Sequence, residues 1–241
     1  MQSFNLTYKP FGSKAILIEW PAIINEEILK DIVSYKQHIQ KYFSNTELIV
    51  AYHTLTVIFT NSVNYREIEE NLRDIYKLNI ERQVFEVSLW KLPVLYGDRL
   101  GLDMQQYASD KNLSEQDVVS LHTRPLYTVY AIGFLPGFLY LGGLDKKLHQ
   151  PRRSEPRLKI PEGSVGIGGR QTGIYPQASP GGWNIIGNSP VRLFDVNNPQ
   201  RCPVNVGDKV QFYAVNRYEY ELIAIQVQTG VYQFEKQVHY D

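Results

Sequence analysis

The chain has 241 residues, 43% of them hydrophobic and 21% charged, enough for one large domain or two modest ones with separate cores. Its 25 basic residues balance 25 acidic ones, and a net charge of +0 excludes a general electrostatic affinity for nucleic acid or anionic membrane, though not a local basic patch. No apolar run approaches the roughly 18 residues of a membrane span, and the opening MQSFNLTYKPFGSKAILIEW lacks the basic-then-apolar order of a signal peptide. Cys202 is the only cysteine, so no intrachain disulfide can form and a cytoplasmic location is expected. With no motif around it, Cys202 reads as a small buried hydrophobe rather than a nucleophile.

Residues 4–9 and 14–20 are short β-branched or aromatic segments flanking the turn signal at Gly12. A helix is predicted over 25–43: Asn25 can cap it, Glu26 and Glu27 favour its positive end, and Ile28, Ile32, Tyr35, Ile39 and Phe43 recur on one face. Strands follow at 47–53 and 56–60. Asn64 opens a second helix with Tyr65, Ile68, Leu72, Ile75 and Tyr76 as its stripe, and 84–92 closes the unit as a strand. One-faced helices after strands predict an α+β sandwich of ferredoxin-like type. Pro93 and the Tyr96-Gly97-Asp98 turn mark a boundary, giving domains 1–92 and 93–241. Two short helices come next, one over 100–109 burying Leu100, Met104 and Tyr107, the other starting at the box-like Ser114-Glu-Gln-Asp and ending at His122.

Residues 133–190 hold 12 of the 17 glycines and 7 of the 13 prolines, which excludes long helices and predicts short strands joined by tight turns. With a last strand at 209–215, a small closed barrel satisfies so many strands without leaving edges. Residues 218–228 fit neither period cleanly and are read as a helix.

Four segments could carry chemistry. GFLPGFLYLGGL, starting at Gly133, either packs down as an Ω-loop or lines a groove with Phe134, Phe138, Tyr140 and Leu141. Arg152, Arg153 and Arg157 sit in a proline-held extended stretch, suited either to a carboxylate or phosphate or to pairing with Glu155 and Glu162. GIGGRQTGIYP, starting at Gly166, matches neither a P-loop nor a Rossmann fingerprint; it reads as a hairpin projecting Gln171, Thr172 and Tyr175 from its tip. SPGGW brings Trp183 to the same neighbourhood, and its turn amides either bind an oxyanion or only shape the turn. The five histidines show no metal spacing, so no metal site is expected. His122 stands out because it ends a helix, where the dipole favours a protonated imidazole, although a structural role is the commoner outcome for a lone histidine.

His122-(x4)-Tyr127-Thr-Val, GFLPGFLYLGGLD, PRR, PR, IPEGSVGIGGRQTGIYP, SPGGWNIIG and LFD, in this order, closely resemble the KipI/allophanate-hydrolase-subunit-1 family, most densely over residues 92–215. The resemblance implies a ferredoxin-like N-terminal domain, a cyclophilin-like β-barrel C-terminal domain, and kinship with half of a carboxyltransferase domain. It implies an enzyme subunit that is not autonomous: in one setting such chains act with subunits A and C as an ATP-dependent 5-oxoprolinase forming glutamate, with ATP used by the complex and not bound by this chain. In another setting such a chain binds a sensor histidine kinase and blocks its autophosphorylation. A fragment of a biotin-dependent carboxyltransferase is a third reading. By motif position the resemblance places His122, Gln171 and Tyr175 in catalytic roles, and Phe134, Gly137, Tyr140, Arg152, Arg157 and Thr172 around the substrate.

Overall fold

The computed structural model describes residues 4–78, 86–197 and 202–240. The chain forms two compact units, Met1–Phe85 and Glu86–Tyr240.

In the first unit the elements run β1 (Thr7–Pro10), β2 (Ala15–Glu19), α1 (Glu26–Tyr42), β3 (Thr46–Ala51), β4 (Thr54–Phe59) and α2 (Tyr65–Lys77). The strands pair antiparallel in the order β1-β2-β4-β3. Alternation puts Ile16, Ile18, Leu55 and Val57 on one face, all fully buried. Against them α1 lays Ile28, Ile32, Tyr35 and Ile39, and α2 adds Leu72 and Ile75. Asn25 starts α1 by accepting from the Glu27 and Ile28 amides at 2.7 and 3.3 Å. Asn64, in the matching place before α2, makes no such side-chain bond. The Tyr35 hydroxyl donates to the Leu72 carbonyl at 2.5 Å, tying the two helices together. The α+β organisation read from the periodicity is therefore present.

The second unit holds β5 (Glu86–Tyr96), α3 (Met104–Asp110), α4 (Glu115–Thr123), β6 (Tyr127–Ile132), β7 (Leu139–Gly142), a 3-10 turn at Lys146–Leu148, β8 (Arg157–Ile160), β9 (Ser164–Gly168), β10 (Gln171–Ile174), β11 (Ser179–Gly181), β12 (Asn184–Asn188), β13 (Lys209–Ala214), α5 (Arg217–Gln228) and β14 (Glu235–Tyr240). Seven strands close a barrel in the order β6-β13-β5-β12-β9-β10-β7, with β7 returning to β6. All neighbours are antiparallel except β5 and β13, which makes the barrel mixed. β8 and β11 form a separate two-stranded ribbon, and β14 pairs with the first half of β5. The interior carries Leu92, Val94, Val129, Leu139, Leu141, Val165, Ile167 and Val210, all at zero exposure.

The strand predicted at 84–92 differs in place. Residues 84 and 85 lie outside the described residues, and Glu86–Tyr96 joins the barrel, where β13 and β14 pair with it. Pro93 lies inside this strand. Having no amide hydrogen to give, it sits where the second edge of β5 passes from β14, paired up to Lys91, to β12, paired from Leu95. The tail is the helix α5, capped by a reciprocal Asn216–Glu219 box, and α4 starts with the same device between Ser114 and Asp117. Cys202 is half-buried against the core, and burial pushes its thiol up from its ordinary value.

Candidate functional site

The glycine-rich loops build a cluster of aromatic rings beside the barrel core. Phe138 is its centre, 1% exposed, with Tyr140 tilted at 4.8 Å and Tyr175, Trp183 and Phe134 edge-on at 5.1, 5.3 and 5.7 Å. Each edge-on pair adds about 0.5–1.5 kcal/mol beyond area burial. Two glycines permit close approach here, Gly168 within the cluster and Gly137 against the adjoining Phe194. A Cβ on Gly137, at φ +83°, would lie 2.6 Å from Phe194 Cβ, and one on Gly168 would lie 2.7 Å from the Trp183 indole nitrogen. Phe134 reaches φ +68° without being glycine, and its ring is 63% exposed. Within the loop Phe138 and Leu141 pack down, while Phe134 is presented to solvent.

The three arginines divide. Arg157 donates to Asp103 through Nη2 to Oδ1 at 2.6 Å and Nη1 to Oδ2 at 2.9 Å, and Arg153 Nη1 donates to Oδ1 at 3.0 Å. Asp103 Oδ2 also accepts from the Ile185 amide at 2.6 Å. This carboxylate is nearly buried, so its four donors are what make it tolerable there. Neither Glu155 nor Glu162 takes these arginines. Asp103 carries no motif; its only sequence signal is one acid at the start of a short helix, with the basic cluster that needs it distant in the chain. Arg152 is the remaining arginine. It is exposed, has no ion pair among the described residues, and places its guanidinium carbon 5.8 Å from the Trp183 ring centre.

The hairpin β9–β10 is present, with Gln171 opposite Gly168. Its side chains do not all project from the tip. Gln171 is half-buried, whereas Thr172 and Tyr175 point into packed interior at 0% and 1% exposure. Burial pushes the Tyr175 hydroxyl up to about 12, against the opposing effects of a bond from the Trp183 backbone and the Arg152 charge. Burial also raises Tyr140, again against Arg152. Both phenols are therefore neutral donors near pH 7.

His122 lies in the barrel core, fully buried and stacked on Phe212 at 4.7 Å. Thr172 Oγ1 donates to the Gly166 carbonyl at 3.0 Å, so at its 2.8 Å contact with His122 Nε2 it accepts. That fixes the proton on Nε2 and leaves Nδ1 to accept from the Tyr96 hydroxyl at 2.7 Å. Burial lowers the imidazole to about 3, so it is neutral, contrary to the protonated form expected from the helix end. Desolvation in a closed core outweighs a helix dipole that contributes about 0.3–1 kcal/mol at exposed ends.

The structure thus brings Phe134, Gly137, Tyr140, Arg152, Tyr175 and Trp183 to one cluster, with Arg157 beside it through Asp103 and Ile185, while His122 and Thr172 belong to the barrel interior. Among the described residues no group of three His, Cys, Asp or Glu could hold a metal ion, and no helix is long and apolar enough to cross a membrane.

Residues 6–204 match the family described as the carboxyltransferase domain, subdomain C and D. A relative from Haemophilus influenzae, named as the B subunit of 5-oxoprolinase, is 35% identical over 203 residues, covering 84% of this chain and 95% of its own length. One of the same name from Escherichia coli O157:H7 is 39% identical over 206 residues, covering 83% and 92%. The crystal structure of TTHA0988 aligns over 84% of this chain with a TM-score of 0.72 at 28% identity, and the chain spans 40% of that protein's length.

Proposed function

This chain belongs to the carboxyltransferase subdomain C and D family, and from that premise we propose that it is the B subunit of an ATP-dependent 5-oxoprolinase. The observation that carries the reading is the pair of bacterial relatives of that name, matched over nearly their whole length. The complex opens the 5-oxoproline lactam to glutamate in the cytoplasm, with the A and C subunits as partners. ATP is spent by the complex and not held by this chain. The N-terminal unit takes the ferredoxin-like part and the barrel the cyclophilin-like part. Its β2-α1-β3-β4-α2 order and β1-β2-β4-β3 sheet support the former, with β1 filling the outer strand position.

In this reading the aromatic cluster is the substrate wall that this subunit contributes. Arg152 takes the carboxylate of 5-oxoproline, its planar fork being the arginine not committed to Asp103. Tyr140 and Phe134 cover the ring, Gln171 orients the lactam amide, and the buried Tyr175 backs the wall through Phe138. Arg157 and Gly137 hold the wall in shape, and His122 with Thr172 positions β10 from behind. Bond breaking needs groups from another subunit. The His122–Thr172 pair is sealed in the core, its hydroxyl proton given to Gly166, and the Cys202 thiol is raised by burial. Nothing in the fold favours the sensor-kinase reading over this one.

The test is reconstitution with the A and C subunits, measuring glutamate and ADP from 5-oxoproline. Turnover is expected only when this chain is present. Equal glutamate without it, or none with all three chains, overturns the reading.

A further inference from the structure

Residues 151–156 are all exposed, so the strap that carries Arg152 has little burial to hold it in place. Bonds on either side of Arg152 hold it instead. Gln150 and Gly169 exchange backbone hydrogen bonds at 3.0 and 2.7 Å. The next contacts run residue against residue with the segment Gly182-Trp183-Asn184, in antiparallel order. The Arg153 amide donates to the Gly182 carbonyl at 2.7 Å, the Arg152 guanidinium carbon lies 5.8 Å from the centre of the Trp183 ring, and Pro151 meets Asn184.

Pro151 has no amide hydrogen, so a backbone ladder cannot continue through it. The Asn184 side chain takes over. Its Nδ2 donates to the Pro151 carbonyl at 3.0 Å and to the Ile167 carbonyl at 3.1 Å. Both partners are carbonyl oxygens, so the amide nitrogen must face them, and both of its hydrogens are used. Asn184 is 9% exposed at the start of β12, opposite Ile167 of β9. One side-chain amide therefore ties the exposed strap to two barrel strands, one residue before Arg152.

We propose that Asn184 is a positioning residue for the substrate carboxylate, acting through the Pro151 carbonyl to hold the Arg152 fork in place over Trp183. This role rests on the reading of Arg152 as the group that takes the carboxylate of 5-oxoproline. Asn184 does not touch the substrate, because its donors are spent on the protein. A guanidinium fork meets a carboxylate only when the two are coplanar and in register, so a small shift of its anchor weakens the grip.

The test is a double-mutant cycle on the reconstituted three-subunit complex, read as KM and kcat for 5-oxoproline. Asn184→Ala is expected to raise KM by about fivefold with kcat within about twofold of wild type. In the Arg152→Ala background the same substitution is expected to change KM by less than about twofold, because the group it positions is gone. Asn184→Leu keeps the volume and removes the donors, and is expected to match Asn184→Ala without leaving a cavity. An equal rise in KM with and without Arg152, as a merely structural asparagine gives, would overturn the proposal. So would an unchanged KM in both Asn184 variants. The tie itself is read on the whole chain alone, with no turnover: hydrogen exchange at the Arg153 amide is expected to quicken by at least about tenfold in Asn184→Leu, and unchanged exchange would overturn it. Quickened exchange together with an unchanged KM in Arg152→Ala would instead overturn the carboxylate reading, and with it the substrate role of Asn184.

Discussion

The barrel interior at His122 and the cluster at Trp183 are both made of packed rings, and they differ in what becomes of their polar atoms. Around His122 the donors and acceptors form a closed chain from Tyr96 through the imidazole to Thr172 and Gly166, so the group is neutral and spent. At Trp183 the rings stop short of the surface guanidinium of Arg152, which keeps a full charge and has no ion pair among the described residues. Burial turns a titratable side chain into structure, whereas a rim position leaves it available for a ligand. Asp103 stands between these cases, converting two neighbouring arginines into framework.

The sharpest way to break the comparison is acid. The unfolded chain takes up a proton on His122 below about 6.5, and the folded chain refuses it until about 3. Stability from this group is therefore complete above 6.5 and falls by up to about 5 kcal/mol as the pH drops to 3. Urea unfolding across that window is expected to show a steeper pH slope for the wild type than for His122→Phe. Equal slopes would mean that the imidazole is not sealed.

Asp103→Ala comes next. It strands Arg153, Arg157 and the Ile185 amide, and a loss of about 3–5 kcal/mol is expected in denaturant melts. Arg152→Ala, one residue from Arg153, is expected to change stability by no more than about 0.5 kcal/mol. Comparable losses in the two variants would erase the distinction between framework and free arginines. Phe134→Ala is also expected to have a small effect, within about 1 kcal/mol, because the exposed ring gives up one edge-on contact with Phe138 and little burial.

Much of this is legible in the chain. Period and the Asn25 cap place α1, and period alone places α2, since Asn25, the paired glutamates and an apolar stripe act locally. The glycine and proline density announces a barrel of short strands. The membership of β5 is not legible, because its apolar run serves either unit equally well and its partners β13 and β14 lie over a hundred residues away. For the same reason the arginines cannot be sorted from sequence: Asp103 is some fifty positions distant, and a carboxylate that selects two of three guanidinium groups leaves no local mark. The protonation of His122 reads wrongly from the chain because a helix end is visible in sequence and the enclosing core is not.

The most direct measurement is the KM for 5-oxoproline of the reconstituted three-subunit complex carrying Arg152→Ala, set beside wild type and Arg152→Lys. KM is expected to rise by about tenfold or more in the alanine variant, with partial recovery in lysine, which keeps the charge but not the fork, and with the melting temperature of the chain unchanged. An unchanged KM in Arg152→Ala would contradict the assignment of Arg152 as the residue that holds the substrate carboxylate.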